Sequence, residues 1–297
     1  MTIDAGLALG ASALLLLAAV AQGILLSSTR DRSAGFRDCP PWWGRIVLGA
    51  RLGAAFLVAA ALVSEAVSQG TWTPFDLMGD ISQIALSLGL ATLITHLALI
   101  GLNALDRAGR GLPRWVTPTE LATDAGPAAD LSSLALIVLA VAIAPGAPPV
   151  TCAQRVAPVA LQWALFLLGG GSTLLAGSAG LMRTVGDLTP RFGLDLAIGQ
   201  PDLDSLLRQA AALSLIAVGG GLIAGAYWSW RTLGTAGSGD PREGWMAVTW
   251  LIEAMSLLAW RLQKRPSGWA AALALFAAAI AIGALLAVAG LRTALWT

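Results

Sequence analysis

Long apolar segments recur along the whole chain and alternate with short polar connections. Because the hydrocarbon core of a bilayer is about 30 Å thick, a helix needs roughly 20 mainly apolar residues to cross it. On this basis the pattern predicts eight membrane-spanning helices. Their approximate ranges are 5–27, 46–68, 79–104, 128–148, 158–182, 206–230, 245–262 and 268–290. In the fourth range the fully apolar part ends before Pro145, so a tilted or partly interfacial helix is an alternative there.

The composition agrees with this pattern. Hydrophobic residues make up 57% of the 297 residues and charged residues 12%, whereas soluble domains contain about 25% charged residues. We therefore expect an all-α, polytopic integral membrane protein in which residues 1–297 form a single membrane domain. The first ten residues contain no Lys or Arg, so the first apolar segment is interpreted as a retained span and not as a cleaved signal peptide. A net charge of +1 gives no indication of nucleic-acid binding.

The positive charges are distributed unequally between the two predicted sides of the membrane. Twelve Arg and Lys residues fall on the connections that follow the odd-numbered spans, and four fall on the opposite side. Since positively charged loops stay on the cytoplasmic side, both termini and the loop of residues 231–244 are predicted to face outward. Without the fourth span the distribution would be eleven against five, so the charges alone do not establish eight spans. The predicted location is an energy-transducing membrane of the bacterial inner-membrane type, with the outward side in the periplasm.

A distinctive stretch lies between Gly219 and Arg261, where two apolar segments are joined by a short polar loop. It reads Gly225-Ala226-Tyr227-Trp228, then Gly237-Ser238-Gly239-Asp240-Pro241-Arg242-Glu243-Gly244-Trp245, then Thr249-Trp250-Leu251. From about Leu203 to the C-terminus the chain resembles the cytochrome c assembly family, which comprises haem-handling membrane proteins with a tryptophan-rich WWD loop. A weaker similarity covers Pro158–Trp163. The resemblance implies an outward-facing loop, of which the remnants are Trp228, Asp240, Pro241, Arg242, Glu243, Trp245 and Trp250.

The chain departs from the family where the family handles haem. The resemblance implies an aromatic platform in the loop and flanking histidines that ligate the haem iron. The three loop tryptophans fall here on Leu233, Gly237 and Gly239, and the histidines fall on Leu258 and on Leu167 or Leu168. Leu and Gly offer no ligand to iron. The chain is therefore expected to be a degenerate member of the family that lacks the haem-presenting groups.

The end of the loop has features of a helix start. Asp240 is suited to cap free backbone N–H groups, and Pro241 suits the first helical position. Glu243 stands three residues after Asp240, as in a capping box. A retained contact with a ligand is the alternative interpretation of these residues.

Glu253 and His96 lie well inside predicted spans, where ionisable groups are costly and are candidates for a functional role. Glu253 is eight residues into the seventh span and is a candidate for a proton or ion path; the alternative is a hydrogen bond or ion pair with a neighbouring helix or subunit. His96, the single histidine, is the haem ligand if the chain has one, and otherwise a packed histidine bonded to a backbone carbonyl. Glu65, Asp76 and Asp80 form either a cation site or a solvated rim. No spacing typical of metal ligands is present, so no metal site is predicted.

Glycine-rich patches suggest where helices approach each other. Gly169–Gly171 and the pair Gly221 and Gly225 predict close helix–helix packing and not ligand binding.

These observations lead to three functional expectations. The first is a non-catalytic membrane subunit without a cofactor, which acts as a structural or accessory component of a larger respiratory or photosynthetic complex. Its partners would be the lipid bilayer and the other membrane subunits. The second is a haem transport or cytochrome c biogenesis factor that still binds haem through His96 or through a partner's ligands, as a component of a cytochrome c synthase. The third is an ion or small-molecule transporter that uses Glu253.

Overall fold

The computed structural model describes most of the chain in eight ranges. These ranges are 5–28, 41–68, 81–109, 126–143, 157–188, 200–237, 241–262 and 268–296. Within them, side chains are described for residues 7–21, 45–64, 67, 84–99, 101, 129–138, 140, 161–187, 203–237, 243–262 and 268–283.

The described residues are helical throughout, except for residues 234–237. The helices are α1 (Ala5–Ser28), α2 (Pro41–Ser68), α3 (Ile81–Gly109), α4 (Gly126–Ile143), α5 (Ala157–Leu188), α6 (Gln200–Leu233), α7 (Pro241–Leu262) and α8 (Gly268–Trp296). The predicted all-α class is thereby confirmed for the described part of the chain, which contains eight helices and no strand. Each helix begins and ends within six residues of a predicted apolar span.

Three of the helices are long and apolar enough to cross a membrane, judged by their length and composition over the described residues. The qualifying segments are Arg45–Ser64 in α2, Leu161–Asp187 in α5 and Leu203–Leu233 in α6. Shorter apolar segments are described in α1, α3, α4 and α8. The structure thus agrees with a membrane protein.

The fifth helix, α5, is the central element of the fold. It packs against α3, α4, α6 and α8, whereas α7 packs against α6 and α8, and α1 against α2 and α4. One cluster of buried apolar side chains joins α1, α2, α3 and α4, and a second is formed largely by α5, α6 and α8. Both clusters consist mainly of Ala and Leu.

The central pair α5 and α6 is antiparallel. Four contacts establish this direction, because each step forward along α5 corresponds to a step back along α6. They pair Gln162 with Gly225, Gly169 with Val218, Thr173 with Ser214, and Arg183 with Asp204. The last contact is an ion pair near the end of α5. It explains why α5 continues past the predicted boundary at residue 182, since the charge of Arg183 has a partner within the fold.

Glycines allow the neighbours of α5 to approach its backbone. A Cβ atom added at Gly171 would lie 2.6 Å from the backbone nitrogen of Thr92 in α3, and one added at Gly180 would lie 2.6 Å from the backbone oxygen of Ala271 in α8. Gly221 of α6 has a similarly close contact with the ring of Phe166. The predicted close packing at both glycine patches is confirmed.

A glycine cap ends α6. Gly234 has a φ of 72°, and its N–H donates to the backbone oxygen of Trp230 at 3.2 Å. A left-handed residue with this single bond is the αL motif, which favours Gly because it has no Cβ. Pro241 is the first residue of α7, in agreement with its predicted role. The helix α6 therefore ends at Leu233 and α7 begins at Pro241, whereas the apolar boundaries predicted a loop of residues 231–244.

A buried ion pair joins α2 to α4. Arg51 Nε lies 2.9 Å from Asp130 Oδ1, and Arg51 Nη2 lies 2.8 Å from Asp130 Oδ2. Both side chains are at most 1% exposed. The bidentate geometry provides the good pairing that a buried charge requires. Neither residue is a candidate in the sequence analysis, because each lies near the end of an apolar segment where a solvated charge is ordinary.

The glycine contacts predict the effect of an added methyl group. We expect Gly171→Ala to destabilise the protein by about 1–3 kcal/mol, because its Cβ meets backbone atoms of α3 that cannot move aside. The matched control is Gly49→Ala in α2, where an added Cβ has no neighbour within 4 Å. The measurement is the thermal unfolding midpoint of the detergent-solubilised chain. Equal midpoints for the two variants would contradict the close approach of α3 and α5.

The ion pair predicts a strongly non-additive response. Asp130→Leu alone leaves the Arg51 charge buried without its carboxylate, and should destabilise the protein by about 3–5 kcal/mol. Arg51→Met added to that variant removes the unpaired charge and should restore most of the loss. Reversible unfolding in detergent of the wild type, both single variants and the double variant provides the complete cycle. Simple additivity of the two single effects would show that the pair does not act as a unit.

Candidate functional site

The helix α7 buries polar side chains and exposes apolar ones, which is the reverse of the pattern of a helix on the surface of a soluble protein. Among its described side chains, the buried ones are Thr249, Glu253 and Ser256, which lie along one stripe because they are four and three residues apart. The opposite face exposes large apolar side chains, namely Trp245, Val248, Leu251, Met255, Leu258 and Leu262. A helix in water would have its apolar stripe inside. The arrangement of α7 is typical of a helix whose outer face contacts hydrocarbon.

Glu253 lies at the centre of this polar stripe and is completely buried, at 0% exposure. Neither of its carboxyl oxygens has a hydrogen-bond partner among the described residues. The polar side chain that approaches the carboxyl group is Thr173 of α5. The hydroxyl of Thr173 lies 3.1 Å from the backbone oxygen of Gly169 and 2.6 Å from Ser214 Oγ of α6, so its single proton is already shared there.

The resulting group consists of one carboxyl and two hydroxyls, contributed by three helices. We call Glu253, Thr173 and Ser214 the central polar cluster. Glu253 is twelve residues beyond the first residue of α7, which corresponds to about 18 Å of helix at 1.5 Å per residue. Thr173 and Ser214 occupy the middle of α5 and α6 in the same way. The cluster therefore lies far from the ends of all three helices. The sequence indicated Glu253, but it gave no reason to associate Thr173 and Ser214 with it.

A second polar contact lies at the loop end of the same three helices. Gln162 Nε2 of α5 donates to Glu243 Oε1 of α7 at 2.8 Å, and Gly225 of α6 leaves room for both side chains. The predicted capping partner of Glu243 was Asp240, which lies outside the described residues. The capping contact therefore stays a prediction, and the observed bond ties the first turn of α7 to α5. Gln162 was not predicted as a site residue, although a lone amide in an apolar segment is a signal that could have indicated it.

The remaining loop residues whose side chains are described do not converge on one site. Trp250 Nε1 donates to the backbone oxygen of Leu215 at 2.9 Å and packs on Gly219, so this indole joins α7 to the middle of α6. Trp245 is 40% exposed on the outer face of α7. Trp228 is partly buried, and its indole nitrogen has no hydrogen-bond partner among the described residues. The side chains of Pro241 and Arg242 lie outside the described set.

The positions that correspond to the family's haem ligands hold apolar side chains with different surroundings. Leu258 is 54% exposed on the outer face of α7, on the side opposite to Glu253. Leu167 packs beside a cluster that contains Leu88 and Leu136. Leu233, at one of the tryptophan positions, is 55% exposed at the end of α6. No side chain at these positions can bind iron.

His96 lies in α3 and is completely buried. Arg51 of α2 is the charged side chain that acts on it, which places His96 beside the α2–α4 ion pair. Its distance from the loop follows from the helix register. Thr92 of α3 contacts Gly171, which is nine residues beyond Gln162 along α5. Leu99 lies in one cluster with Leu175 and Ala179, so α3 runs in the same direction as α5, and His96 is one turn beyond Thr92. At 1.5 Å per residue, His96 is about 20 Å from the loop end of the bundle.

No metal site is evident among the described residues. They contain no group of three or more His, Cys, Asp and Glu side chains that could hold an ion. Asp76, Asp80 and the side chain of Glu65 lie outside the described set, so the cation site considered for them stays a prediction. Cys39 and Cys152 lie outside it as well.

Comparison with known proteins adds no family to this description. No protein-family model, curated protein or solved structure matches the chain. The resemblance to cytochrome c assembly proteins therefore stays a prediction that depends on the residues of the Gly219–Arg261 stretch.

Proposed function

We propose that the chain is a non-catalytic membrane subunit, derived from a cytochrome c assembly type of frame, that serves as an accessory component of a larger energy-transducing membrane complex. The observation that carries this proposal is the state of the α6–α7 unit. Its helical frame is well connected, but the positions that would present haem hold Leu and Gly.

The connections within this unit support a structural role. Gly234 and Pro241 define the end of α6 and the start of α7. The indole of Trp250 bonds to the backbone of α6, and Glu243 bonds to Gln162 of α5. Four remnants of the family pattern have described side chains. Two of them, Glu243 and Trp250, bond to neighbouring helices, whereas the indole nitrogen of Trp228 has no hydrogen-bond partner among the described residues and Trp245 lies on the outer face of α7.

The position of His96 argues against the haem-handling alternative. A histidine that presents haem at the outer face has to reach the loop. His96 is buried about 20 Å from the loop end, next to Arg51, and a positive neighbour does not favour iron binding.

Eight membrane crossings, with both termini and the loop outward, form part of the proposal. Supporting observations are the reversed polarity of α7, the three segments long enough to cross, and the antiparallel direction of α5 and α6, which alternating crossings require. The apolar outer faces of α2, α6 and α7 would then contact lipid or the helices of other subunits. Examples are Phe56 and Ile223, which are 72% and 73% exposed.

Purification tests the proposal. We expect the tagged chain, extracted from its native membrane in mild detergent, to be recovered with stoichiometric membrane subunits identified by mass spectrometry. The isolated chain should show no haem absorption band, and deletion of its gene should leave the content of c-type cytochromes unchanged. Recovery as a lone monomer would contradict the accessory role.

A control variant separates the haem-binding alternative from contamination. If the isolated chain has a haem band, His96→Ala should abolish it when His96 is the ligand and leave it unchanged when haem is carried over from another protein. A band that depends on His96, together with loss of c-type cytochromes on deletion, would replace the accessory role with haem handling.

A further inference from the structure

We propose that the central polar cluster is a proton-binding site in the interior of the helix bundle, at which the Glu253 carboxyl group holds a proton that exchanges with water. This inference concerns a site that the accessory role does not require, and it stands or fails separately from that role.

The burial of Glu253 without a counter-charge is the first step. An ionised carboxylate moved into an apolar interior without a partner costs far more free energy than the neutral acid. Glu253 is 0% exposed, and no charged side chain among the described residues acts on it. The neutral, proton-carrying form is therefore the resting form of this site.

The charged side chains on the surrounding helices contact other partners or lie at a distance from the central polar cluster along their helices. On α5, Arg183 pairs with Asp204 of α6; on α6, Arg208 lies over the ring of Trp260; on α7, Glu243 bonds to Gln162 and Arg261 is exposed. The described side chains of α8, residues 268–283, include no ionisable group. Each of these charges is six or more residues along its helix from the cluster, which corresponds to about 9 Å or more.

The buried carboxylate elsewhere in the fold shows the contrast. Asp130 has the guanidinium of Arg51 at hydrogen-bond distance, so it can stay ionised as part of a structural pair. Glu253 has hydroxyl groups as its polar neighbours instead. Hydroxyls can donate to a carboxylate or accept from a carboxylic acid, whereas a guanidinium can only donate. The central polar cluster is therefore suited to both protonation states.

The two hydroxyls can accommodate the departure of the proton. While Glu253 is neutral, the Thr173 hydroxyl is engaged with Gly169 O and Ser214 Oγ. When the proton leaves Glu253 for water, Thr173 can turn its O–H from Gly169 to the carboxylate, and Ser214 can donate to the Thr173 oxygen. The two hydroxyl groups keep their own protons in this step and only reorient. On the same stripe of α7, the hydroxyls of Thr249 and Ser256 donate to the backbone oxygens of Trp245 and Ala270, so they are engaged outside the cluster.

Infrared spectroscopy of the full-length chain in lipid nanodiscs tests the proposal. We expect the wild type at neutral pH to show the C=O stretching band of a protonated carboxyl group, and Glu253→Gln to lose it entirely. Transfer to D2O should shift the band to lower frequency, because the bound proton exchanges. The matched control Glu243→Gln, at the loop end of the same helix, should keep the band. Thr173→Val should move the band to higher frequency, because the polar side chain that approaches the carboxyl group is replaced by an apolar one.

Four outcomes would overturn the proposal. A Glu253→Gln spectrum identical to that of the wild type would show that the carboxyl is ionised. A band that stays unshifted after full equilibration in D2O would show a sealed, structural group. Loss of the band in sodium chloride but not in choline chloride would make the site a sodium site. If Glu253→Gln does not fold, the Thr173→Val spectrum still decides, because an unchanged band position there would show that the carboxyl group lies outside the cluster.

Discussion

The close approach of α5 to its neighbours is the constraint on which the rest of the structure depends. Gly171 and Gly180 bring the backbones of α3 and α8 against α5, and Gly169 does the same for α6. Without a strong hydrophobic force between helices in a membrane, such backbone contacts supply much of the packing energy. They also fix the register that brings Thr173 opposite Ser214 and Gln162 beside Gly225. The polar contacts described above are therefore consequences of where the small residues stand.

Polar groups inside the bundle form two groups with different chemistry. In the half built from α1–α4, the charges of Arg51 and Asp130 neutralise each other, and His96 is placed beside them. In the half built from α5–α8, Glu253 has hydroxyl neighbours and no counter-charge among the described residues. A structural role is sufficient to explain the first group, because the attraction between Arg51 and Asp130 compensates for the cost of burying their charges. It is not sufficient for the second group, because an apolar side chain in place of Glu253 would fill the same space at a lower cost in free energy.

The sequence predicted the helices well because apolar length is a local property. It also indicated Glu253 and the glycine patches, since a charge or a run of glycines within an apolar segment is visible without a structure. It could not predict the partner of Asp130, because Arg51 is 79 residues away and each residue alone looks like an ordinary segment end. The bounds of α6 and α7 differ from the predicted apolar boundaries for a different reason. Apolar length ignores backbone geometry, whereas the Gly234 cap marks the end of α6 and Pro241 marks the start of α7. The bond between Gln162 and Glu243 depends on tertiary register and could not be predicted.

The reversed polarity of α7 has a consequence for how substitutions in this chain should be interpreted. In a soluble protein, exposed positions tolerate most substitutions, whereas substitutions at buried positions often destabilise the fold. If α7 crosses the membrane as we propose, the tolerance of its outer face depends on contact with hydrocarbon and not on exposure. A Lys or Asp at Leu251 or Met255 would then be strongly destabilising, although both side chains are more than half exposed. Exchanges among Leu, Val, Ile and Phe at these positions would change the stability of the protein very little. The outer face of such a helix accepts exchanges among apolar residues, whereas the face that carries Glu253 accepts few substitutions of any kind.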